Sequence, residues 1–234
     1  VINKRTYDDG CAAAHALDLV GERWALLVVR ELLLGPRRFN DLHRDLNGIS
    51  RNVLSQRLKE LEQAGVIRRH ELPPPAAARV YDLTGWGREL EPVLQQLGRW
   101  GARSPSRPVG RPVSAAALVT AMSTMFHPPA ARDLHGTLGL HAGRYRYHAH
   151  VEQGTLHVLP GEPAAPNVTL SGDAPALAAV LLGGLPLAEA ERDHDLRVTG
   201  DRAFAEAFRR AFRMPELAPD ANDGTAGIFG AGTP

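Results

Sequence analysis

The stretch Ser104-Pro105-Ser106-Arg107-Pro108-Val109-Gly110-Arg111-Pro112 places three prolines in nine residues with almost no apolar content. Proline fixes φ and lacks a backbone donor, so such a run cannot continue a helix or an interior strand and reads as an extended linker. The chain is therefore expected to divide into residues 1–103 and 113–217, joined by a linker at 104–112. With 234 residues, 44% of them apolar, it is long enough for two small cores. The run 218–234 is rich in Gly, Ala and Asp and is expected to be a disordered tail. No apolar run reaches the roughly 18 residues that a membrane-spanning helix needs, and Val1 to Asp8 lack a signal peptide's apolar stretch. A cytoplasmic protein without a membrane partner is the expectation. The single cysteine, Cys11, excludes an internal disulfide framework and any multi-cysteine zinc site.

A formal net charge of +1 looks discouraging for a nucleic-acid binder, but it is a sum of opposites. Residues 1–103 hold 16 Lys and Arg against 13 Asp and Glu, a net of +3, whereas residues 104–234 hold 11 against 13, a net of −2. Between Arg37 and Arg79 the local balance is nine to five. Positive charge is concentrated where a phosphate-facing surface would need it.

In the first half, Leu17, Val20, Trp24, Leu27, Val28 and Leu32 recur at three- and four-residue steps, which predicts one amphipathic helix ending near Gly35-Pro36. A short helix follows at 39–46, with Phe39, Leu42 and Leu46 inward, and stops at Asn47-Gly48. Ser50 then caps a third helix whose apolar stripe is Val53, Leu54, Leu58 and Leu61. Two helices joined by a tight glycine-containing turn are a helix-turn-helix candidate. The outer face of the third helix carries Arg51, Asn52, Ser55, Gln56 and Lys59, and no acid appears in its first two turns. Arg and Lys pair with phosphate or guanine, Asn and Gln with adenine, and Ser with either. Val66 to Leu72 and Arg79 to Leu83 flank a proline-rich tip and predict a two-stranded wing, in which Arg68, Arg69 and Arg79 can contact phosphate or enter a minor groove. With Arg37, Arg38 and Ser50, these side chains make up the candidate DNA-binding set. Thr84 is expected to cap a further helix carrying Leu90, Val93, Leu94, Leu97 and Trp100 on one stripe. So large an apolar payload suggests a second subunit, with Leu17, Val20, Leu90, Leu94, Leu97 and Trp100 as candidate dimer residues, although intramolecular packing is the competing explanation.

The strings Leu32-Leu33-Leu34-Gly35-Pro36-Arg37-Arg38-Phe39, Ile49-Ser50-Arg51-Asn52-Val53-Leu54-Ser55-Gln56-Arg57-Leu58 and Leu61-Glu62-Gln63-Ala64-Gly65-Val66-Ile67 stand in register with Ala16-Leu17-Asp18-Leu19-Val20-Gly21-Glu22-Arg23-Trp24 and Tyr81-Asp82-Leu83-Thr84. Across residues 8–103 the chain resembles the HxlR-type winged helix-turn-helix regulators. The resemblance implies a dimeric bacterial transcription factor on a palindromic operator, with the helix at 50–63 in the major groove and the first and last helices of the domain forming the dimer. It also raises the reading of Cys11 as a redox or electrophile sensor. Against that stand Asp8 and Asp9, which oppose ionisation, and the commoner role of a lone cysteine as a small packed side chain.

Residues 113–217 alternate helix and strand signals. Ala115 to Phe126 is a predicted helix. Tyr145, Tyr147, Ala149 and Val151 alternate with Arg144, Arg146, His148 and His150, and a Gln153-Gly154 turn returns the chain through Thr155 to Val158, setting His150 opposite His157. Three imidazoles on one face could bind zinc or nickel, but no acidic partner is identifiable and no metal is assigned. Two strand-Gly-Asp-helix units follow, at Val168 to Asp173 and Leu196 to Asp201, the second leading into a helix with Phe204, Phe208 and Phe212. Over residues 113–214 this pattern resembles the sterol carrier protein 2-like fold. That resemblance implies an apolar cavity for a small apolar ligand, lined here by Leu118, Met122, Met125, Tyr145, Tyr147, Leu181 and Phe208; the alternative is that these side chains fill an ordinary core.

The fold class expected is thus mixed α and β in two domains, a winged helix-turn-helix followed by an α+β sheet-and-helix unit. No cofactor is implied. The expected partners are double-stranded operator DNA, a second copy of the chain and a small apolar ligand. An enzyme or lipid carrier with an auxiliary basic domain is the competing class; against it, the sequence carries no nucleophile-base constellation, P-loop or dinucleotide motif, and a non-enzyme is the expectation.

Overall fold

The computed structural model describes residues 6–219 other than Ala76 and Val109, so residues 220–234 of the expected tail lie outside the described residues, as do one residue of the wing tip and one of the linker. The N-terminal unit runs α1 (Ala12–Val20), α2 (Ala25–Leu32), α3 (Phe39–Asp45), α4 (Arg51–Gln63), β1 (Ile67–Glu71), β2 (Arg79–Leu83), α5 (Gly85–Arg88) and α6 (Leu90–Ala102).

The single helix expected across Leu17 to Leu32 is two helices. Gly21 donates to the Leu17 carbonyl, and a Cβ at Gly21 would stand 2.5 Å from that oxygen. Trp24 then takes a left-handed φ of 80°, a conformation that costs an ordinary residue on the order of 1–3 kcal/mol unless its surroundings enforce it. They do so here, because Ala25, Val28, Val29 and Leu32 enter the core directly after the break. Val20 is the buried residue of α1.

The α3–turn–α4 unit forms as its sequence suggests. The Ser50 hydroxyl accepts from the Val53 amide at 3.3 Å, and Leu54, Leu58 and Leu61 are buried against α2 and β1. Val53 departs from the predicted stripe; it lies one position off that face and is 39% exposed. The wing is an antiparallel pair in the register Ile67 to Leu83, and Arg37 adds a bridge by exchanging backbone bonds with Tyr81. The helix expected after Thr84 also divides. Thr84 caps only the short α5, through the Gly87 amide, and α6 starts anew at Leu90. Pro92 accounts for this, since it cannot donate to the Arg88 carbonyl and is tolerated only in a first helical turn.

The C-terminal unit runs α7 (Ala115–Met125), a 3₁₀ turn (Pro128–Ala131), β3 (Gly136–Ala142), β4 (Tyr145–Glu152), β5 (Thr155–Pro160), β6 (Val168–Gly172), α8 (Ala174–Leu181), α9 (Leu187–Asp193), β7 (Arg197–Gly200) and α10 (Arg202–Arg209). Its sheet has the order β5-β4-β3-β6-β7, with β3 and β6 parallel and the other pairs antiparallel. Gln153 and Gly154 both take positive φ, the turn geometry that matches strand twist, and they set Glu152 opposite Thr155 and His150 opposite His157. Asp173 and Asp201 cap α8 and α10 through the Ala176 and Phe204 amides, which is the local reason for the repeated Gly-Asp. Helix α9 was not anticipated; it buries only Leu187 and Ala190, too few for a periodic signal. Phe212 lies beyond α10, bridged to Phe126 and packed edge-on against Phe126 and Phe208. Ala218, expected to open the tail, donates to the Arg103 carbonyl.

Two separate apolar cores result, one in each unit. Of the residues expected to line a ligand cavity, Leu118, Met122, Met125, Tyr147, Leu181 and Phe208 are all buried, most of them within the C-terminal core. Tyr145, the seventh, is only half buried and faces the N-terminal unit.

Candidate nucleic-acid interface

Helix α4 is held against the core by its leucines, and this fixes what its opposite face presents. Arg51, Asn52, Ser55 and Lys59 are exposed there, with Ser50 at the cap. Arg51 donates to the Asn40 side chain at 3.2 Å and lies over the Phe39 ring at 5.8 Å, so α3 steadies its guanidinium. Gln56 is half buried and donates to Glu60 at 2.6 Å; reaching a base requires that bond to open. Ser50 already uses its hydroxyl oxygen as the helix cap.

In the wing, Arg69 and Arg79 are exposed. Arg68 is exposed too, but it is tied to Asp82 at 3.2 Å, and Arg88 reaches the same carboxylate at 2.9 Å. Asp82 is buried, so this fork anchors the hairpin base to α5. Sequence reading did not single out Asp82, whose role depends on two cations from different elements.

Arg38 is exposed at the start of α3, whereas Arg37 is not on this face. Its guanidinium lies 4.4 Å from the centre of the Tyr145 ring and donates to the Tyr147 hydroxyl at 3.1 Å. Arg37 therefore links the two units and leaves the DNA-facing set. Close by, Arg144 donates to both oxygens of Asp45 at 2.9 and 3.1 Å, and the Tyr145 hydroxyl donates to the same carboxylate. Burial raises the Asp45 carboxyl above its ordinary value, although the Tyr145 bond and the nearby Arg37 and Arg44 work the other way. Burial likewise raises the Tyr145 and Tyr147 hydroxyls above their ordinary value; Tyr145 donates to Asp45, whereas the Tyr147 oxygen accepts from Arg37. The buried Glu31 accepts from Ser114 at 2.7 Å and from Arg30. Leu34 packs on the C-terminal core, and Arg99 of α6 donates to the Thr124 carbonyl of α7. No local pattern announces contacts between residues some 100 positions apart.

Of the candidate dimer residues, Val20 and Leu94 are buried and Leu90 is half buried, so these three serve the unit's own core. Leu17, Leu97 and Trp100 are 51, 47 and 73% exposed, and Val93, at 51%, joins the last two along one side of α6. Cys11 is exposed at the start of α1, where the Ala13 and Ala14 amides lower its thiol below the ordinary value. His148, His150 and His157 share one concavity, but among the described residues no three metal-ligating side chains are grouped to hold an ion. No helix among the described residues is long and apolar enough to cross a membrane.

A helix-turn-helix with a basic, donor-rich second helix and an arginine-bearing wing defines a DNA-binding transcriptional regulator. Residues 19–107 match the HxlR-like helix-turn-helix family. The chain is 40% identical over 85 residues to the uncharacterized HTH-type transcriptional regulator YvaP of Bacillus subtilis, spanning 36% of this chain and 79% of that protein. It is 41% identical over 105 residues to the uncharacterized HTH-type transcriptional regulator Rv3095 of Mycobacterium tuberculosis, spanning 45% of this chain and 66% of that one. Among solved structures, the reduced form of the transcriptional regulator YodB from B. subtilis aligns at 33% identity over 42% of this chain and 97% of that chain, with a TM-score of 0.37. The chain belongs to the HxlR-like helix-turn-helix family. The family match ends at residue 107, ahead of the C-terminal sheet.

Proposed function

We propose that this chain acts as a homodimer on a palindromic operator, laying α4 in the major groove and the β1–β2 wing along the adjacent backbone or minor groove. The observation that carries this reading is the exposed face of α4, where Arg51, Asn52 and Ser55 occupy the first two turns without an acid among them and Lys59 follows in the third. Arg51, Asn52, Ser55 and Gln56 are the base-reading candidates; Arg38, Ser50, Lys59, Arg68, Arg69 and Arg79 serve phosphate and position. Leu17, Val93, Leu97 and Trp100 supply the apolar surface for the partner copy. Residues 1–103 and 113–217 act as two domains across the 104–112 linker. The second domain, read as sterol-carrier-like, is not an enzyme and modulates DNA affinity through a small molecule. A gel shift on the DNA upstream of the chain's own gene tests the first claim. Arg51→Ala and Gln56→Ala are each expected to weaken binding by about 1–3 kcal/mol; unimpaired binding by both variants contradicts it.

A second reading is favoured by one observation, the exposed Cys11 with its thiol lowered by two helix-start amides. A more populated thiolate suits electrophile sensing. Under this reading Cys11→Ser abolishes operator release by diamide or quinone, and unchanged release in that variant removes it.

A further inference from the structure

An open concavity of about 380 Å³ lies on the seam between the two units. Its walls come from the end of α3 (Arg44, Asp45), the start of α7, the β3–β4 turn (Gly143, Arg144) with Tyr145, and the start of α8. Small apolar side chains, Val113, Ala115, Ala142 and Ala174, line much of the remainder. A pocket of this size suits a compact organic molecule. The group best able to bind a ligand there is the Arg144 guanidinium with the Tyr145 hydroxyl beside it, two donors now converging on the Asp45 carboxylate. Asp45 is the chain's own carboxylate filling that seat, and burial disfavours its charge. The other acid of the wall, Asp173, is turned onto the Ala176 amide.

We propose that this concavity binds a small organic acid whose carboxylate replaces Asp45 between Arg144 and Tyr145, its apolar body lying on the alanine and valine wall. The inference rests on the reading of the C-terminal unit as a modulator and gives that unit a site and a ligand class. Displacing Asp45 frees the C-terminal end of α3, the helix that packs ahead of α4, so ligand and operator affect each other's affinity through α3. Linkage requires that effect to be reciprocal.

The test is calorimetric titration of the full chain with benzoate, with acetate as the control that carries the head group alone. Benzoate is expected to bind one per chain and more tightly than acetate. Arg144→Ala is expected to weaken benzoate at least tenfold. Asp45→Asn, which removes the competing charge, is expected to tighten it severalfold. Circular dichroism melts of each variant report whether it is folded. No benzoate binding by the folded wild type and the folded Asp45→Asn variant overturns the proposal, as does binding that folded Arg144→Ala leaves unchanged. Operator binding without benzoate is measured on the same samples; its failure would count against the DNA-binding reading and not against this site.

Discussion

Asp45 is the residue on which the two units converge, and its environment gives a signed pH dependence. Because burial raises its folded-state carboxyl above the unfolded value, its contribution to stability is complete below the ordinary carboxylate range and is lost as pH rises through the raised folded value. Asp45→Asn is expected to flatten the pH dependence of the denaturation midpoint across that window, and an unchanged profile would refute the assignment. Arg37 teaches a related lesson. In the string Gly35-Pro36-Arg37-Arg38-Phe39 the two arginines look equivalent, and only the fold separates them, sending one to Tyr145 and Tyr147 and leaving the other outside. Residue type was legible in the sequence; the direction in which a long side chain turns depends on what packs beside it. For the buried leucines no such ambiguity arises. Leu58→Ala is expected to cost about 2–5 kcal/mol in urea denaturation, since Leu58 is fully enclosed among α2, α4 and β1.

At the scale of elements, periodicity located α3, α4, the wing and the β4–β5 hairpin, because each has a local stop signal: Asn47-Gly48, Gly65 or Gln153-Gly154. It failed at two helix breaks. A three-to-four-residue repeat continues across Gly21 to Trp24 even though the backbone does not, and Pro92 was a readable break that the apolar stripe outweighed. After the breaks, α1 and α6 each keep one side in the core, through Val20 and Leu94, and leave Leu17, Val93, Leu97 and Trp100 exposed. Gly21→Ala places a methyl against the Leu17 carbonyl and is expected to destabilise the fold by about 1–3 kcal/mol in thermal or urea unfolding. Helix α9 and the contacts between units were illegible for a different reason, since both rest on tertiary packing with little local pattern.

For the whole molecule, the near-neutral total conceals a basic N-terminal half and a mildly acidic C-terminal half, and the buried apolar side chains fall into two clusters, with Leu34 of the first half packed on the second. Helix and strand periodicity reports which side chains face inward, as Leu118, Met122, Tyr147 and Phe208 do, but not how they fill the space between them. Association is expected to depend on α6: Trp100→Asp should shift sedimentation equilibrium towards monomer, and an undiminished dimer would place the interface elsewhere. The central claim is that α4 reads bases, and fluorescence anisotropy of labelled operator variants tests it most directly. Arg51→Ala is predicted to lose affinity mainly for the native sequence and so to relax discrimination at one base pair, whereas Lys59→Ala is predicted to weaken every sequence alike and to reduce the salt dependence. If Arg51→Ala lowers affinity equally for native and substituted operators, α4 does not read sequence through Arg51 and the account is contradicted.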